Sequence, residues 1–305
     1  MDDRRREPGA THSKALVNGV TPSPQDVRKE VPSVFSVVIL TQNEDFHIRD
    51  CMDSVGGCDD IIVLDSGSTD ATTEIATECG ARVVHRAFDN FAGQRNYVLD
   101  SIDVRHDWIF FLDADERFTP RLYSACEQVV DRDERSGYMV PAKTMLMGRW
   151  IRWAATYPVY QMRFLKRGEV RFVQAGHGQR EGDSQRGVGR MAEPYLHFSF
   201  AKGFNHWIEK HNQYSSDEAH SLWAELSGGG SPRPRGLFAR DPVQRRRAAK
   251  ALASRLPCRA PLRFLYAYIL RLGFLDGRPG LTYCALLAVY EYMISVKLSE
   301  LRRME

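Results

Sequence analysis

The first third of the chain alternates short apolar runs with segments of helical periodicity. Four runs predict strands, at residues 35–40, 61–64, 82–85 and 108–112. Nearly continuous apolar runs are typical of strands buried on both faces of a parallel sheet. Between the first two runs, Ile48, Cys51 and Val55 recur at helical spacing. The order βαβαβαβ therefore predicts a parallel sheet with helices on both faces.

Beyond residue 125 the pattern becomes mixed. Further strands are predicted at residues 138–142, 161–165 and 195–200, followed by a helix at 204–223. A Gly-, Pro- and Ser-rich segment at 227–236 predicts a flexible break. The remainder contains two apolar segments, 262–275 and 281–296, which are predicted to be helical.

Polar side chains stand directly after three of the four strands: Thr41, Asn43 and Glu44 after the first, Asp65 after the second, Asp113 and Asp115 after the fourth. Ligands of parallel sheets bind beyond the carboxyl ends of the strands, so these side chains are candidates for a binding site. Helix capping explains Ser68, Thr69 and Asp70 equally well.

Asp113 and Asp115 follow the apolar run 108–112, which places two carboxylates at the mouth of a buried strand. Their repulsion would raise the pKa of one of them unless a cation lies between them. Mg²⁺ or Mn²⁺, with oxygen ligands, fits best. Such an ion suits the departure of a nucleoside diphosphate. Asp65 could then accept a hydrogen bond from the base or ribose of the nucleotide.

Arg95 shares one face of the third predicted helix with Val98, Leu99 and Ile102. Two interpretations remain open for this arginine. It is either a snorkelling or salt-bridged side chain, or a clamp for a phosphate or carboxylate group near the strand ends.

Several motifs along the chain together resemble those of a known family. The segments SVVILTQNE (36–44), IIVLDSGSTDAT (61–72), GQRN (93–96) and FFLDADER (110–117) resemble family 2 glycosyltransferases with the GT-A fold. The segments MGRWIR (147–152), YPVYQMRFLKRG (157–168), HFSF (197–200), HNQYS (211–215) and LGFLDGRPG (272–280) are similar to a narrower branch. That branch contains bacterial glucosyl- and heptosyl-type transferases of lipopolysaccharide core and exopolysaccharide synthesis.

The resemblance implies an α/β, Rossmann-type, mostly parallel GT-A sheet with C-terminal amphipathic helices. It implies a nucleotide-sugar site at Thr41, Asn43, Glu44, Asp65, Arg95 and Asp113, and a Mg²⁺ or Mn²⁺ site at Asp113 and Asp115. The expected organisation is a disordered segment at 1–33, a catalytic domain at 34–226, and a basic linker with amphipathic membrane-associating helices at 227–305. Within the domain, 34–125 would bind the nucleotide sugar and 126–226 the acceptor.

The resemblance also implies an inverting displacement in which a carboxylate deprotonates the acceptor hydroxyl. The segment GHGQRE (176–181) contains the candidates Glu181 and His177. Related sequences show an adjacent His-Glu pair, whereas three residues separate the two here. Glu181 is preferred because inverting members use a carboxylate; His177, whose ordinary pKa is near neutral, is the alternative. His197, flanked by aromatic residues, is interpreted as a core residue and left out of the metal site.

Between residues 231 and 263 the chain carries nine arginines and one lysine against the single acid Asp241. The apolar segments that follow are each shorter than the ~20 uncharged residues of a spanning helix. Basic residues beside apolar, aromatic-rich helices favour helices lying in an anionic membrane interface. An ordinary helical cap on the catalytic domain is the alternative for residues 281–296.

Composition narrows the class of partner. The net charge of +3 over 305 residues indicates no nucleic-acid binder, and six scattered cysteines suit reduced thiols in the cytoplasm. The resemblance implies transfer from a nucleotide-sugar donor to a glycolipid or polysaccharide-precursor acceptor, and the basic, apolar C-terminal segment predicts that this occurs peripherally on the inner face of the cell membrane. A haloacid-dehalogenase-like phosphatase and a non-catalytic membrane scaffold are the alternatives.

Overall fold

The computed structural model describes residues 33–175, 178–227 and 258–303, all within one compact unit. The predicted disorder at 1–33 falls outside these ranges except for Ser33, as does most of the arginine-rich run. The strands are β1 (Ser36–Thr41), β2 (Ile61–Asp65), β3 (Arg82–His85), β4 (Trp108–Asp113), β5 (Glu116–Arg117), β6 (Gly137–Leu146), β7 (Arg149–Trp150), β8 (Val159–Lys166), β9 (Val170–Ala175), β10 (Gly178–Ser184), β11 (Val188–Arg190) and β12 (Tyr195–His197). The helices are α1 (Asp45–Ser54), α2 (Thr72–Glu78), α3 (Phe91–Ser101), α4 (Pro120–Arg132), α5 (Gly203–Ser227), α6 (Arg259–Leu265) and α7 (Gly277–Arg303).

One large sheet forms the centre of the molecule, with the strand order β3-β2-β1-β4-β8-β6-β12-β5. Strands β3, β2, β1 and β4 are parallel, as the alternating pattern predicted. Strand β8 then pairs antiparallel with both β4 and β6, whereas β12 is parallel to β6. The sheet therefore runs without interruption across the predicted boundary between residues 125 and 126.

Helices cover both faces of the parallel half of this sheet. Alternate residues of β1 point to opposite sides, so Val37 and Ile39 pack with Ile48 of α1 on one face. Val38 packs with Val98 of α3 on the other face. These apolar side chains are fully buried, which explains why the strand has almost no polar residue before its end. The predicted mostly parallel α/β architecture is confirmed.

Two short strands bring the second half of the chain back to the end of β4. Strand β5, directly after the β4 turn, pairs antiparallel with β12, with His197 opposite Glu116. The predicted strand 195–200 ends at His197, where a turn leads into α5. The separate hairpin β9–β10 packs beside α3. Both arrangements deliver side chains to the carboxyl edge of the parallel strands.

The C-terminal segment is a packed helical assembly. The helix predicted at 262–275 is interrupted: α6 passes into a π-helical turn (Tyr266–Leu270), and Leu272 adopts a left-handed φ of 60°. A Cβ on Gly280 would lie 2.2 Å from the carbonyl oxygen of Gly273, so these two turns approach as closely as only glycine permits. Asp276 accepts hydrogen bonds of 2.9–3.1 Å from three backbone N–H groups at 152–154. The C-terminal helices are thereby joined to the sheet.

Helix α7 is longer than the predicted 281–296. Together with the preceding turn it forms 31 continuous helical residues, and its length and composition are sufficient to cross a membrane. The expectation that both apolar segments are too short was therefore wrong for this helix. Only 17% of its most apolar window is buried inside the protein, whereas Cys284, Ile294 and Leu298 pack inward. One face of α7 is thus buried against the protein, and the rest is half-buried or exposed.

Candidate active site

The strand ends predicted to form a site do meet at one edge of the sheet. Thr41 of β1 lies in register with Asp65 of β2, and Leu40 with Asp113 of β4. Asp65 is in turn opposite His85, the last residue of β3. The polar residues after β1, β2 and β4 are therefore neighbours because the parallel register aligns the carboxyl ends of these strands.

The loops after β1 and β2 are hydrogen-bonded to each other. Asn43, in the left-handed region with φ 54°, accepts a hydrogen bond of 2.8 Å from the N–H of Thr69 through its side chain. Its own N–H donates to Ser68 Oγ at 2.8 Å. Helix α1 has no side-chain N-cap hydrogen bond, so Asn43 connects the two loops instead of capping the helix. The two loops form one rigid wall of the site.

Asp65 is fully buried and organises the second of these loops. Its Oδ2 accepts hydrogen bonds of 3.0 Å from the N–H groups of Gly67 and Ser68, and lies 3.2 Å from His85 Nδ1. Burial opposes ionisation, but the hydrogen bonds from Ser68 and Gly67 hold the pKa of Asp65 below its ordinary value. A contact between Asp65 and a nucleotide stays a prediction.

Asp113 is held by two buried arginines. Arg95 of α3 donates to its Oδ1 at 3.0 Å, and Arg163 of β8 donates to its Oδ2 at 2.7 Å. The arginine side chains are 3% and 1% exposed, whereas that of Asp113 is 39% exposed. Burial alone would raise the pKa of Asp113, yet the two guanidinium groups hold it well below the ordinary value. Of the two interpretations of Arg95, the structure shows the salt-bridged side chain, and its partner is Asp113.

These contacts correct the electrostatic argument drawn from the sequence. The repulsion between Asp113 and Asp115 was expected to require a bridging cation, but each carboxylate has its own cationic partner. Asp113 has Arg95 and Arg163, and Asp115 lies 3.3 Å from His197. A metal role for these residues therefore depends on which ligand atoms remain available.

Glu116 completes the buried layer behind Asp113. Its Oε2 accepts a hydrogen bond of 2.9 Å from the N–H of Asp113, and its Oε1 accepts one from Arg163. Burial raises the pKa of Glu116 to about 7, and Arg163 opposes that rise. Both carboxylate oxygens thus already have partners, and Glu116 supports the site from behind.

Asp115, Glu116 and His197 form a group in which one ligand atom from each lies within 4.8 Å of the others. Burial lowers the pKa of His197, but Asp115 raises it above the ordinary value. Carboxylate oxygen and imidazole nitrogen are ligands that Mn²⁺ accepts. Since Glu116 is engaged by Arg163 and by the Asp113 backbone, Asp115 and His197 are the side chains best placed to hold an ion. Asp113 lies outside this group.

Two lysines face the same edge from the second half of the chain. Lys202, in the turn before α5, lies 2.8 Å from Glu44 Oε1. Burial raises the pKa of Glu44, and Lys202 opposes that rise. Burial lowers the pKa of Lys210 of α5, but Tyr214 and Asp115 raise it above the ordinary value. Both lysines are therefore positive charges close to the acidic strand ends.

A cavity of about 320 Å³ lies beside Asp113. Its lining residues come from α3, β4, β6, β8, β9 and β10: Phe91, Arg95, Asp113, Met139, Tyr160, Gln161, Met162, Phe172, Arg180 and Glu181. Glu181 lies on β10 opposite Phe172 of β9. The hairpin thus brings the predicted base to the same cavity as Asp113 and Arg95. His177 lies outside the described residues.

Sequence reasoning missed Arg163, Lys202 and Lys210 and set His197 aside. The signal for Arg163 was a single charge in the apolar strand segment Met162–Leu165. The signal for His197 was its position at the end of a strand. No periodicity or spacing distinguishes the two lysines from ordinary surface residues.

The chain is similar in sequence to known proteins. Residues 36–179 match the family model described as glycosyl transferase family 2. An uncharacterized glycosyltransferase of Rickettsia conorii is 31% identical over 125 residues, which is 40% of this chain and 44% of the relative. The lipopolysaccharide core biosynthesis glycosyltransferase LpsC of Rhizobium meliloti is 28% identical over 143 residues, covering 45% of this chain and 52% of the relative. The chain thus spans about half the length of these curated relatives.

Among solved structures, TarS 1-349 of S. aureus is similar over 89% of this chain and 92% of its own, with a TM-score of 0.41 and 15% identity. Glucosyl-3-phosphoglycerate synthase of Mycobacterium tuberculosis, solved with Mn²⁺, uridine diphosphate and glucosyl-3-phosphoglycerate, has a TM-score of 0.30 at 24% identity, covering 45% of this chain and 51% of its own. Residues 36–179 of the chain thus match the glycosyl transferase family 2 model.

Proposed function

We propose that this protein is an inverting, metal-dependent glycosyltransferase. It moves a sugar from a nucleotide-sugar donor to a glycolipid or polysaccharide-precursor acceptor. The observation that carries the proposal is the cavity of about 320 Å³ whose wall holds Asp113, Arg95 and Glu181, most of it formed by residues that match the family 2 model. Next to this wall, Asp115 in the turn after β4 lies 3.3 Å from His197 at the end of β12.

Donor binding is assigned to the carboxyl edge of the parallel strands. Thr41, Asn43, Glu44 and Asp65 line the edge formed by the two joined loops, and a nucleotide is expected to contact them there. Asp115 and His197 would hold Mg²⁺ or Mn²⁺, which neutralises charge on a departing nucleoside diphosphate when bound. Lys202, 2.8 Å from Glu44, adds positive charge at the same edge.

Glu181 is assigned as the general base. Its carboxylate removes the proton from the acceptor hydroxyl while that oxygen forms a bond to the anomeric carbon of the donor sugar. The bond from this carbon to the diphosphate oxygen breaks, and the nucleoside diphosphate leaves with the electron pair. Single displacement inverts the anomeric configuration. The position of Glu181 in the cavity that Asp113 also lines supports this role.

Association with the cytoplasmic face of an anionic membrane is the second part of the proposal. Many large apolar side chains on the C-terminal elements are exposed: Leu262, Leu265, Tyr266, Ile269, Leu270, Leu272, Phe274, Leu275, Leu281, Val289, Tyr292 and Val296. Apolar patches of this kind mark interaction surfaces, and aromatic and leucine side chains with neighbouring arginines suit a membrane interface. Because α7 packs against α5 through Ile294 and Leu298, the proposal is peripheral attachment. The R. meliloti relative, named for lipopolysaccharide core biosynthesis, favours an acceptor of that kind.

The deciding experiment is a screen of purified full-length protein against a panel of nucleotide sugars with Mn²⁺ and a lipid acceptor extract. Metal-dependent incorporation of one sugar into lipid, lost in Asp115→Ala, is the expected result. Phosphate release from a simple phosphoester without sugar transfer would instead support the phosphatase alternative. Vesicle binding with no affinity for any nucleotide sugar would support the scaffold.

A further inference from the structure

Two cavities lie side by side between β6, the turn after β12, α5 and α7. One, of about 360 Å³, is almost entirely apolar and includes Met145, Met147, Phe204 and Trp207 in its wall. The other, of about 330 Å³, is more polar and includes His197, Lys210 and His211. Phe200, Trp207 and Leu286 line both cavities. We call the two together the amphipathic groove.

A row of rings on α5 runs along this groove. Phe204, Trp207 and His211 stand at successive helical turns on one face of the helix. The rings of Phe204 and Trp207 are stacked with centroids 6.2 Å apart, and those of Trp207 and His211 with centroids 3.8 Å apart. Phe204 belongs to the apolar cavity, His211 to the polar one and Trp207 to both. The wall of the groove is therefore continuous from one end to the other.

The polar end of the groove adjoins the candidate active site. His197, which contacts Asp115 at 3.3 Å, is part of its wall. Lys210 contributes an ammonium group, and Thr144 and Ser199 contribute hydroxyl groups. This end offers hydrogen-bond partners and positive charge to an anionic or hydroxyl-bearing head group.

The apolar end leads away from the active site towards the exposed C-terminal surface. Met147 and Phe204 are 66% and 58% exposed at this end. Helix α7 contributes Thr282 and Leu286 to the wall, and Leu281, next to Thr282, is itself exposed. Polarity thus falls along the groove from the acidic strand ends to the surface proposed to contact the membrane.

We propose that the amphipathic groove binds the acceptor as an anionic amphiphile, with its phosphate-bearing head at Lys210 and its hydrocarbon chain along Phe204 and Trp207. The proposal rests on the proposed function and adds to it the chemical class and the path of the acceptor. A hydrocarbon chain in the groove removes its own apolar surface and that of the groove from water. Affinity therefore increases with each methylene that the groove accommodates. The continuous row of rings and its polar end beside His197 favour one bound molecule over two unrelated ligands.

Binding of alkyl phosphates to the full-length protein tests this assignment without any nucleotide sugar. Titration calorimetry would compare inorganic phosphate with butyl, octyl and dodecyl phosphate, each below its critical micelle concentration. Affinity should increase at least tenfold from butyl to dodecyl phosphate. Phe204→Ser should remove most of that increase, and Lys210→Gln should remove the preference for dodecyl phosphate over dodecyl maltoside. Since Phe204 is 58% exposed, its substitution leaves the core of the protein intact.

Phe46→Ser is the matched control, because Phe46 is a 63% exposed aromatic residue on α1; it should bind dodecyl phosphate as the unmodified protein does. Affinity independent of chain length, or unchanged in Phe204→Ser, would overturn the assignment. Loss of dodecyl phosphate binding in Leu270→Ser without loss in Phe204→Ser would also overturn the assignment. Adsorption to the exposed C-terminal surface would then explain the binding. Failure of the proposed function is separate: the groove would bind alkyl phosphates while no nucleotide sugar is turned over.

Discussion

Arg163 donates a hydrogen bond of 2.7 Å to Asp113, and its guanidinium group is 1% exposed at the centre of the sheet. The same nitrogen contacts Glu116, whose side chain is also 1% exposed. A buried arginine between two carboxylates is costly to assemble, and removal of one partner leaves the others uncompensated. The position of Asp113 at the cavity wall therefore depends on a residue of a different strand.

Replacement of Arg163 by methionine should destabilise the protein by about 3–5 kcal/mol, because Asp113 and Glu116 lose a buried positive charge. Urea unfolding would measure the change. Arg171→Met is the matched control: Arg171 pairs with Asp100, both are about half exposed, and such pairs contribute about 0–1 kcal/mol. Equal stability of the two variants would contradict the structural role of Arg163.

His197→Gln and Asp115→Asn should each weaken Mn²⁺ binding at least tenfold in the presence of uridine diphosphate, because each replaces an imidazole or carboxylate ligand of the proposed ion site by a weaker, neutral amide. Electron paramagnetic resonance of free Mn²⁺ would measure affinity directly. His106→Gln removes a histidine that pairs with Asp59 at 2.8 Å before β4, at the opposite end of the strand, and should bind Mn²⁺ as the unmodified protein does. Unchanged affinity in both site variants would exclude them as ligands.

Glu181→Gln should lower the rate of sugar transfer by about 10²–10⁴-fold, which is the usual contribution of a positioned base. Binding of uridine diphosphate with Mn²⁺ should be unchanged, since Glu181 is assigned to the acceptor. Asp183→Asn, an exposed acid on the same strand, controls for the loss of charge. A near-normal rate for Glu181→Gln would show that another residue is the base, and His177 would be the first to test.

His47 should make the protein less stable in acid. Its side chain is buried, and burial together with Arg117 lowers its pKa from 6.5 to about 4. Between these values the unfolded chain binds a proton that the folded chain does not, so stability decreases as the pH falls from about 6.5 to 4. His47→Gln should remove this component. The melting temperature should decrease less between pH 7.5 and pH 5 in His47→Gln than in the unmodified protein. An equal decrease in both would contradict the role of His47.

Leu270→Ser combined with Leu275→Ser should weaken binding to anionic vesicles at least tenfold. These side chains are 74% and 55% exposed, and full burial of one leucine contributes roughly 1.5–3 kcal/mol. Cosedimentation with phosphatidylglycerol vesicles would measure the loss, with Phe46→Ser as the control. Substitution is preferable to truncation because α7 packs against α5. Equal sedimentation of the double variant and the unmodified protein would argue against this surface as the anchor.

Much of the fold was predictable because the relevant signals are local. The apolar run before Asp113 predicted β4 to within one residue, and the helical periodicity around Arg95 predicted a helix where α3 lies. The length of α7 was missed because its ends, near Gly277 and Arg303, lack apolar periodicity and are defined by packing against neighbouring elements. Local patterns determine which segments are helix or strand, but their limits depend on tertiary contacts.

The sequence by itself determined the parallel strands and the acidic residues at their carboxyl ends, since the strand pattern and a right-handed crossover place those ends together. Only the tertiary structure decided the partners of these residues. Strand β8 lies beside β4 and delivers Arg163 to Asp113, and β12 delivers His197 to Asp115. Strand order beyond the parallel half leaves no periodic signal along the chain, so these electrostatic pairings appear only once the sheet is assembled.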